Sequence, residues 1–181
     1  MHKKLTLTAM ILVLVLLCGT AAAYMITRTS REENQFTPAD VACAVAETFD
    51  GTYKSSITIK NTGNIDAYIR VRLVTYWVSK DGNILSKPSK PLEISLAPNW
   101  FQKGMNTYYY VSPVSPSDSP VELLGNAITL AEEDGSYQVV EVFAEAIQAL
   151  GTTDVGDTPA VTNAWGIGVN PTTKELIIET P

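Results

Sequence analysis

Ala67-Tyr68-Ile69-Arg70-Val71-Arg72-Leu73-Val74-Thr75-Tyr76-Trp77-Val78 alternates along its whole length. Ile69, Val71, Leu73, Thr75 and Trp77 fall on one side of an extended chain, and Tyr68, Arg70, Arg72, Val74 and Tyr76 on the other. A sustained period of two marks a half-buried β-strand, because successive Cβ atoms of a strand point to opposite faces. A helix would scatter the same residues around its axis. The first set is the expected core face, and the arginines keep the start of the other face partly in water.

Turns bound this strand on both sides. Asn61-Thr62-Gly63-Asn64 precedes it and Lys80-Asp81-Gly82-Asn83 follows it, with Gly63 and Gly82 expected to supply positive φ angles. Upstream, residues 55–60 alternate through Ile57 and Ile59, and residues 41–47 form a further strand candidate across the Asp50-Gly51 turn. Downstream, Pro88, Pro91 and Pro98 predict loop with at most short edge strands, in which Trp100 and Phe101 would cover a sheet edge. Residues 108–111 read as a short aromatic strand, and apolar patterning resumes over residues 121–130. Glu133-Asp134-Gly135-Ser136 is a turn, and residues 137–147 alternate Val139, Glu141, Phe143, Glu145 and Ile147 against Val140, Val142, Ala144 and Ala146. That strand is expected to give the second face to the core, although residues 143–150 alone also fit a helix. Residues 151–159 read as a polar loop, Ala160–Trp165 as one helical turn and residues 174–179 as a terminal strand. Many strands, glycine-based turns and no long amphipathic helix predict an all-β, jelly-roll-like antiparallel β-sandwich.

The start of the chain reads as a secretory signal. His2, Lys3 and Lys4 are followed by an unbroken apolar run, residues 10–18, and then by Ala21, Ala22 and Ala23 before Tyr24. The run is shorter than the roughly 20 apolar residues of a standard membrane span. An uncleaved anchor and a lipoprotein through Leu17-Cys18-Gly19 are the alternatives; against the second, Leu17 is not a small residue. The expected organisation is a signal peptide over residues 1–23, a mobile segment over 24–40, polar and charged through residues 28–34, and a sandwich domain over 41–181. The membrane is then met only transiently, through the leader.

From Tyr24 onward the chain keeps 11 basic and 19 acidic residues, a net charge of −8. This acidity offers no electrostatic footprint for nucleic acid. Cys18 leaves with the leader, so Cys43 has no disulfide partner in the chain; its apolar neighbours Val41, Ala42, Ala44 and Val45 suit a small buried hydrophobe. The sole histidine is His2. An exported domain without imidazole lacks the base of a Ser-His-Asp or Cys-His site and the usual zinc ligand. The acidic groups Glu132-Glu133-Asp134 and Glu141 with Glu145 read as solvated charges rather than as an acid/base pair. Calcium at Asp50, Asp81 or Asp134 lacks the ligand spacing of a known loop. No catalytic residue, metal site or cofactor is expected.

Several segments resemble the TasA/camelysin family of SipW-dependent exported proteins. The leader end Gly19-Thr20-Ala21-Ala22-Ala23-Tyr24 resembles the family's processing site, and Asn34-Gln35-Phe36-Thr37 its Asn-x-Phe element. The run from Lys60 to Val71, with Asn61, Thr62, Gly63, Ala67, Tyr68, Ile69 and Arg70, resembles the family's K-N-T-G-x-x-x-A-Y-I-R block. Tyr108-Tyr109-Tyr110, Ala144-Glu145-Ala146-Ile147-Gln148-Ala149 and Ala164-Trp165-Gly166 resemble further blocks. The resemblance implies a jelly-roll protein of a Gram-positive-type bacterium, secreted to the matrix or cell surface. It implies a fibre subunit that donates an N-terminal strand to the next copy. Its partners would be itself, other matrix proteins, and the signal peptidase during export. The candidate donor carries Tyr24, Met25, Ile26, Phe36, Val41 and Cys43. Apolar residues at a released terminus stay exposed to water unless a neighbour's groove buries them. Three other functions compete with this one. One is a camelysin-like metallopeptidase, which the missing histidines oppose. The second is a monomeric surface domain with a flexible tail. The third is an adhesive, carbohydrate-binding domain using Trp77, Trp100, Trp165 and the tyrosines at 108–110.

Cleavage is expected between Ala23 and Tyr24. N-terminal sequencing of the secreted form checks it; a start outside residues 22–26 would refute it.

Overall fold

The computed structural model describes residues 38–149 and 159–178. Two antiparallel sheets make up the domain. The first is built on β2 (Tyr53–Asn61), with β1 (Cys43–Phe49) on one side and β7 (Val121–Glu122) and β8 (Ile128–Thr129) on the other. The second has the order β5 (Trp100–Gln102), β6 (Thr107–Tyr110), β3 (Ala67–Ser79), β10 (Ser136–Gln148), β9 (Glu132–Glu133), with β4 (Ile84–Leu85) also on β3. β3 and β10 pair end to end, from Ser79 opposite Ser136 to Ala67 opposite Gln148. One short helix, α1 (Ala160–Trp165), follows. The protein is an all-β antiparallel sandwich, as the alternation predicts.

The main core lies between the sheets. Ile57 and Ile59 from β2 meet Ile69, Val71 and Leu73 from β3, and Val140 closes the layer from β10. The face of β3 chosen from its sequence is therefore the buried one. At its far end Trp77 is fully buried, donates its indole N–H to the Pro88 carbonyl at 2.9 Å, and carries the Lys87 ammonium 4.1 Å over its ring. Lys87 and Lys90 both pair with Glu133, which holds the proline-rich strap against β9.

Some expectations change. β10 does not oppose β3 across the core: it is hydrogen-bonded beside β3 in one sheet, and the facing layer comes from β2 and its neighbours. Residues 143–148 are strand, because the ladder to β3 satisfies their backbone where a helix would leave β3 without a partner. Trp100 and Phe101 do not cover an edge; they are the edge strand β5, with Trp100 turned into the core. No strand forms over residues 174–178: Lys174 has φ 62°, and only Leu176 bridges to Val169. The first strand begins at Cys43, not at Val41. The loop expected over residues 151–159 lies outside the described residues except for Pro159.

The outer face of β3 is not uniformly solvated. Tyr68 is buried there, donating its hydroxyl to the Lys174 carbonyl at 2.6 Å. With Tyr109, Val161, Ile167 and Leu176 it forms a second, smaller core under α1 and the chain that follows.

Glycines 63 and 82 serve different ends. Gly82 has φ +80° in the β3–β4 turn, with open space around it. Gly63 is not in the left-handed region; a Cβ there would lie 2.2 Å from the Asp40 carbonyl oxygen. Close backbone approach, rather than φ, requires glycine at position 63.

Gly82→Ala is expected to cost about 1 kcal/mol through its φ alone. Gly63→Ala should cost more, up to about 3 kcal/mol, by forcing residues 40–42 away; equal denaturation midpoints for the two variants would refute this division. Glu133, next to Lys87 and then Lys90, has its carboxyl pKa lowered from 4.5 to about 2. A depressed carboxyl stabilises the fold above its unfolded pKa and loses that contribution as pH falls through the folded one. The thermal-midpoint gap between the parent and Glu133→Gln should thus be full above pH about 4.5 and shrink toward pH about 2; a gap constant with pH would refute it.

Candidate functional site

Where the N-terminal segment enters the domain, the Asn61–Asn64 turn grips it. Thr62 and Gly63 donate their N–H groups to the Ala42 carbonyl, Asn64 donates to the Asp40 carbonyl at 3.0 Å, and the Asp40 N–H returns to the Asn64 side chain at 2.7 Å. The turn is itself set by buried Asn61. Its amide donates to the Ile65 and Val114 carbonyls at 2.8 and 2.7 Å, and its oxygen accepts the Gly63 N–H at 2.9 Å. An unsatisfied buried amide would cost about 1–3 kcal/mol, so asparagine is well suited here. Gly63 lets the backbones close to hydrogen-bond distance.

The rest of the block extends this anchor into the sheet. Ala67 exchanges both backbone bonds with Val114, Ile69 enters the main core, and Arg70 donates to Glu145 on β10 at 2.5 and 2.9 Å. The Arg70 guanidinium also lies 4.9 Å over the Trp165 ring, which ties α1 to the sheet.

Beside this root lies an open sheet edge. β10 takes β3 on one side over its full length, whereas on its other side only Ser136 and Tyr137 pair, with β9. The Gln138 N–H then reaches the Ala131 carbonyl at 2.8 Å, and the Val140 carbonyl accepts from the Lys54 ammonium at 2.9 Å. In an antiparallel ladder alternate residues turn both backbone groups to one side. The even-numbered residues of β10 therefore face outward, and Val142, Ala144, Ala146 and Gln148 meet no strand among the described residues. β1, the edge of the other sheet, borders the same side of the sandwich. Cys43 and Val45 from β1, and Val142 and Ala144 from β10, are partly buried apolar residues there, packed on the main core. Lys54, buried and paired with Glu47, closes the β9 end of this opening. Phe49 and Leu130 border a cleft of about 120 Å³ beside it.

The other candidate residues are dispersed. Cys43 lies in β1 opposite Asn61; burial, and then the Glu145 charge, pushes its thiol pKa up, the reverse of what a reactive thiolate needs. Trp77 and Trp100 are core residues, and Trp165 packs edge-on against Tyr109, so they form no common aromatic platform. Glu141 accepts the Tyr76 hydroxyl, and Glu145 serves Arg70 and Arg72. The Asp50 carboxylate receives the Thr52 and Tyr53 N–H groups at 2.9 and 2.7 Å, and no group of three or more His, Cys, Asp or Glu side chains meets among the described residues. Ala23, Tyr24, Met25, Ile26 and Phe36 lie outside the described residues; Val41 sits between the gripped residues Asp40 and Ala42.

The open edge and the Lys54 plug were not among the sequence candidates. Alternation over residues 137–147 reveals a strand and its faces, but nothing local reveals that a strand lacks a second neighbour.

In comparisons with known proteins, no family model, no curated protein and no solved structure matches this chain.

Proposed function

We propose that the exported chain is a non-enzymatic structural subunit of extracellular or cell-surface matrix fibres. The N-terminal segment of one copy adds as a strand to the open edge of β10 in the next. One observation carries this: the outer edge of β10 from Val142 to Gln148 has no described strand partner and sits over a partly exposed flank of the core. Main-chain groups on such an edge favour an added strand, and pockets for its alternate side chains give selectivity. Seven residues of edge match the usual length of a strand.

The gripped root narrows the donor. Asp40 and Ala42 are bonded to their own domain and Cys43 is paired in β1. The donated part lies before residue 40, which keeps Tyr24, Met25, Ile26 and Phe36 and drops Val41 and Cys43. The grip on Asp40 and Ala42 fixes where that segment leaves the subunit.

Deleting residues 24–33 should abolish fibres seen by electron microscopy while the thermal midpoint stays within a few degrees. Ala144→Pro tests the acceptor. The Ala144 N–H faces the open side, so proline removes no bond to β3 but blocks an added strand. A folded Ala144→Pro protein that does not polymerise is the expected result. Fibres formed by either variant as by the parent would end the strand-donation model, and a parent that never assembles would end the fibre model itself.

A further inference from the structure

The row of inward side chains on β2 contains an interruption. Ile57, Ile59 and Asn61 turn inward at odd positions, so a regular strand would send Lys54 outward with Ser56, Thr58 and Lys60. A bulge prevents this. Thr48 lies opposite Ser56, but Phe49 lies opposite Lys54, which leaves Ser55 without a partner. An extra residue of this kind re-aims the side chains beyond it. Lys54 is turned into the sandwich and is only 4% exposed.

From there its ammonium reaches across the open flank. It pairs with Glu47, which follows Cys43 and Val45 along one side of β1, and it donates to the Val140 carbonyl of β10 at 2.9 Å. Val140 is the even-numbered residue directly before the open stretch of Val142, Ala144, Ala146 and Gln148. Its carbonyl would otherwise be the next acceptor along that edge.

This position bears on register. A strand slipped by one residue turns all its side chains to the wrong face, whereas a slip of two keeps every face. Along Val142, Ala144 and Ala146 the small apolar side chains do little to forbid the second kind of slip. A slip toward β9 carries the added strand onto Val140, where it must displace a buried ammonium from its carbonyl. A slip the other way leaves the Val142 position unpaired.

We propose that Lys54 sets the register of the strand added to β10 by ending the usable edge at Val142. It is a positioning residue for assembly, and this role rests on the strand addition proposed for that edge. The occupant is the segment before residue 40 of another copy. The charge carries the effect. An apolar stem at position 54 releases the Val140 carbonyl to the incoming strand, and a guanidinium there keeps it.

The experiment uses fibres of the exported chain in which half the copies carry heavy nitrogen and half carry heavy carbon. Nitrogen-to-carbon transfer in solid-state NMR then reports contacts between copies. The parent should give one set of contacts from Val142, Ala144 and Ala146 to the donor. Lys54→Met should add a second set displaced by two donor residues, and Lys54→Arg should restore the single set. The Glu47 side chain is 31% exposed, so water still reaches its carboxylate in Lys54→Met. Lys54→Met combined with Glu47→Met removes both charges and should slip in the same way. On chains lacking residues 24–33, the thermal midpoints of both variants should stay within a few degrees of the parent's. A single, unshifted set in both variants overturns the register role and leaves strand addition standing. Two sets in the parent overturn it as well. If neither variant folds, Lys54 is a structural residue only and the proposal is lost. Contacts that avoid residues 142–148, or a parent that forms no fibres, end strand addition at this edge and the role of Lys54 with it.

Discussion

The pairing of β3 with β10 is the constraint on which the rest of this domain depends. Thirteen residues of each strand face each other without a bulge, although they are separated in sequence by more than fifty residues of loop and short strands. A contact between such distant segments closes a long loop before any burial rewards it. What stabilises it is a complete ladder together with a core face, Ile69, Val71, Leu73 and Val140, that the opposite sheet covers. The intervening chain is fixed against this ladder. β6 and β4 add to the free side of β3, and the proline strap is tied down through Trp77, Lys87 and Glu133.

The same ladder creates the domain's exposed features. Every other residue of β10 that does not serve β3 turns its backbone outward, and β9 relieves only the first of them. Folded proteins commonly blunt such edges with charge, proline or a covering element. Here Lys54 serves that purpose at Val140, and the stretch from Val142 onward has no such device among the described residues. Small side chains at Ala144 and Ala146 leave room for another backbone to approach. The outer face of the ladder is divided in the same way, buried by α1 at the Tyr68 end and open around Val74 and Phe143 at the other.

The root of the N-terminal segment explains why Asn61, Thr62 and Gly63 stand together. Asn61 needs its full amide because three backbone groups converge on it, and Gly63 needs to lack a Cβ because Asp40 passes above it. Together these contacts anchor the chain to the domain at residues 40–42.

The sequence alone determined the long strands, the buried face of β3, most of the turns and the all-β class, because alternation and glycine or Asp-Gly turns are local signals. It also placed Arg70 and Arg72 on the face away from the main core, since parity along a strand fixes the side. The tertiary structure alone decided that β10 lies beside β3 rather than across from it. It also decided that Trp100 belongs to an edge strand, that residues 174–178 do not pair as a strand, and that Gly63 answers to Asp40 instead of to its own φ. Each of these depends on which distant segment becomes the neighbour. A period of two says how a strand presents its faces, but it carries no information about which strand fills each edge. The open side of β10 therefore became visible only when every other partner had been placed.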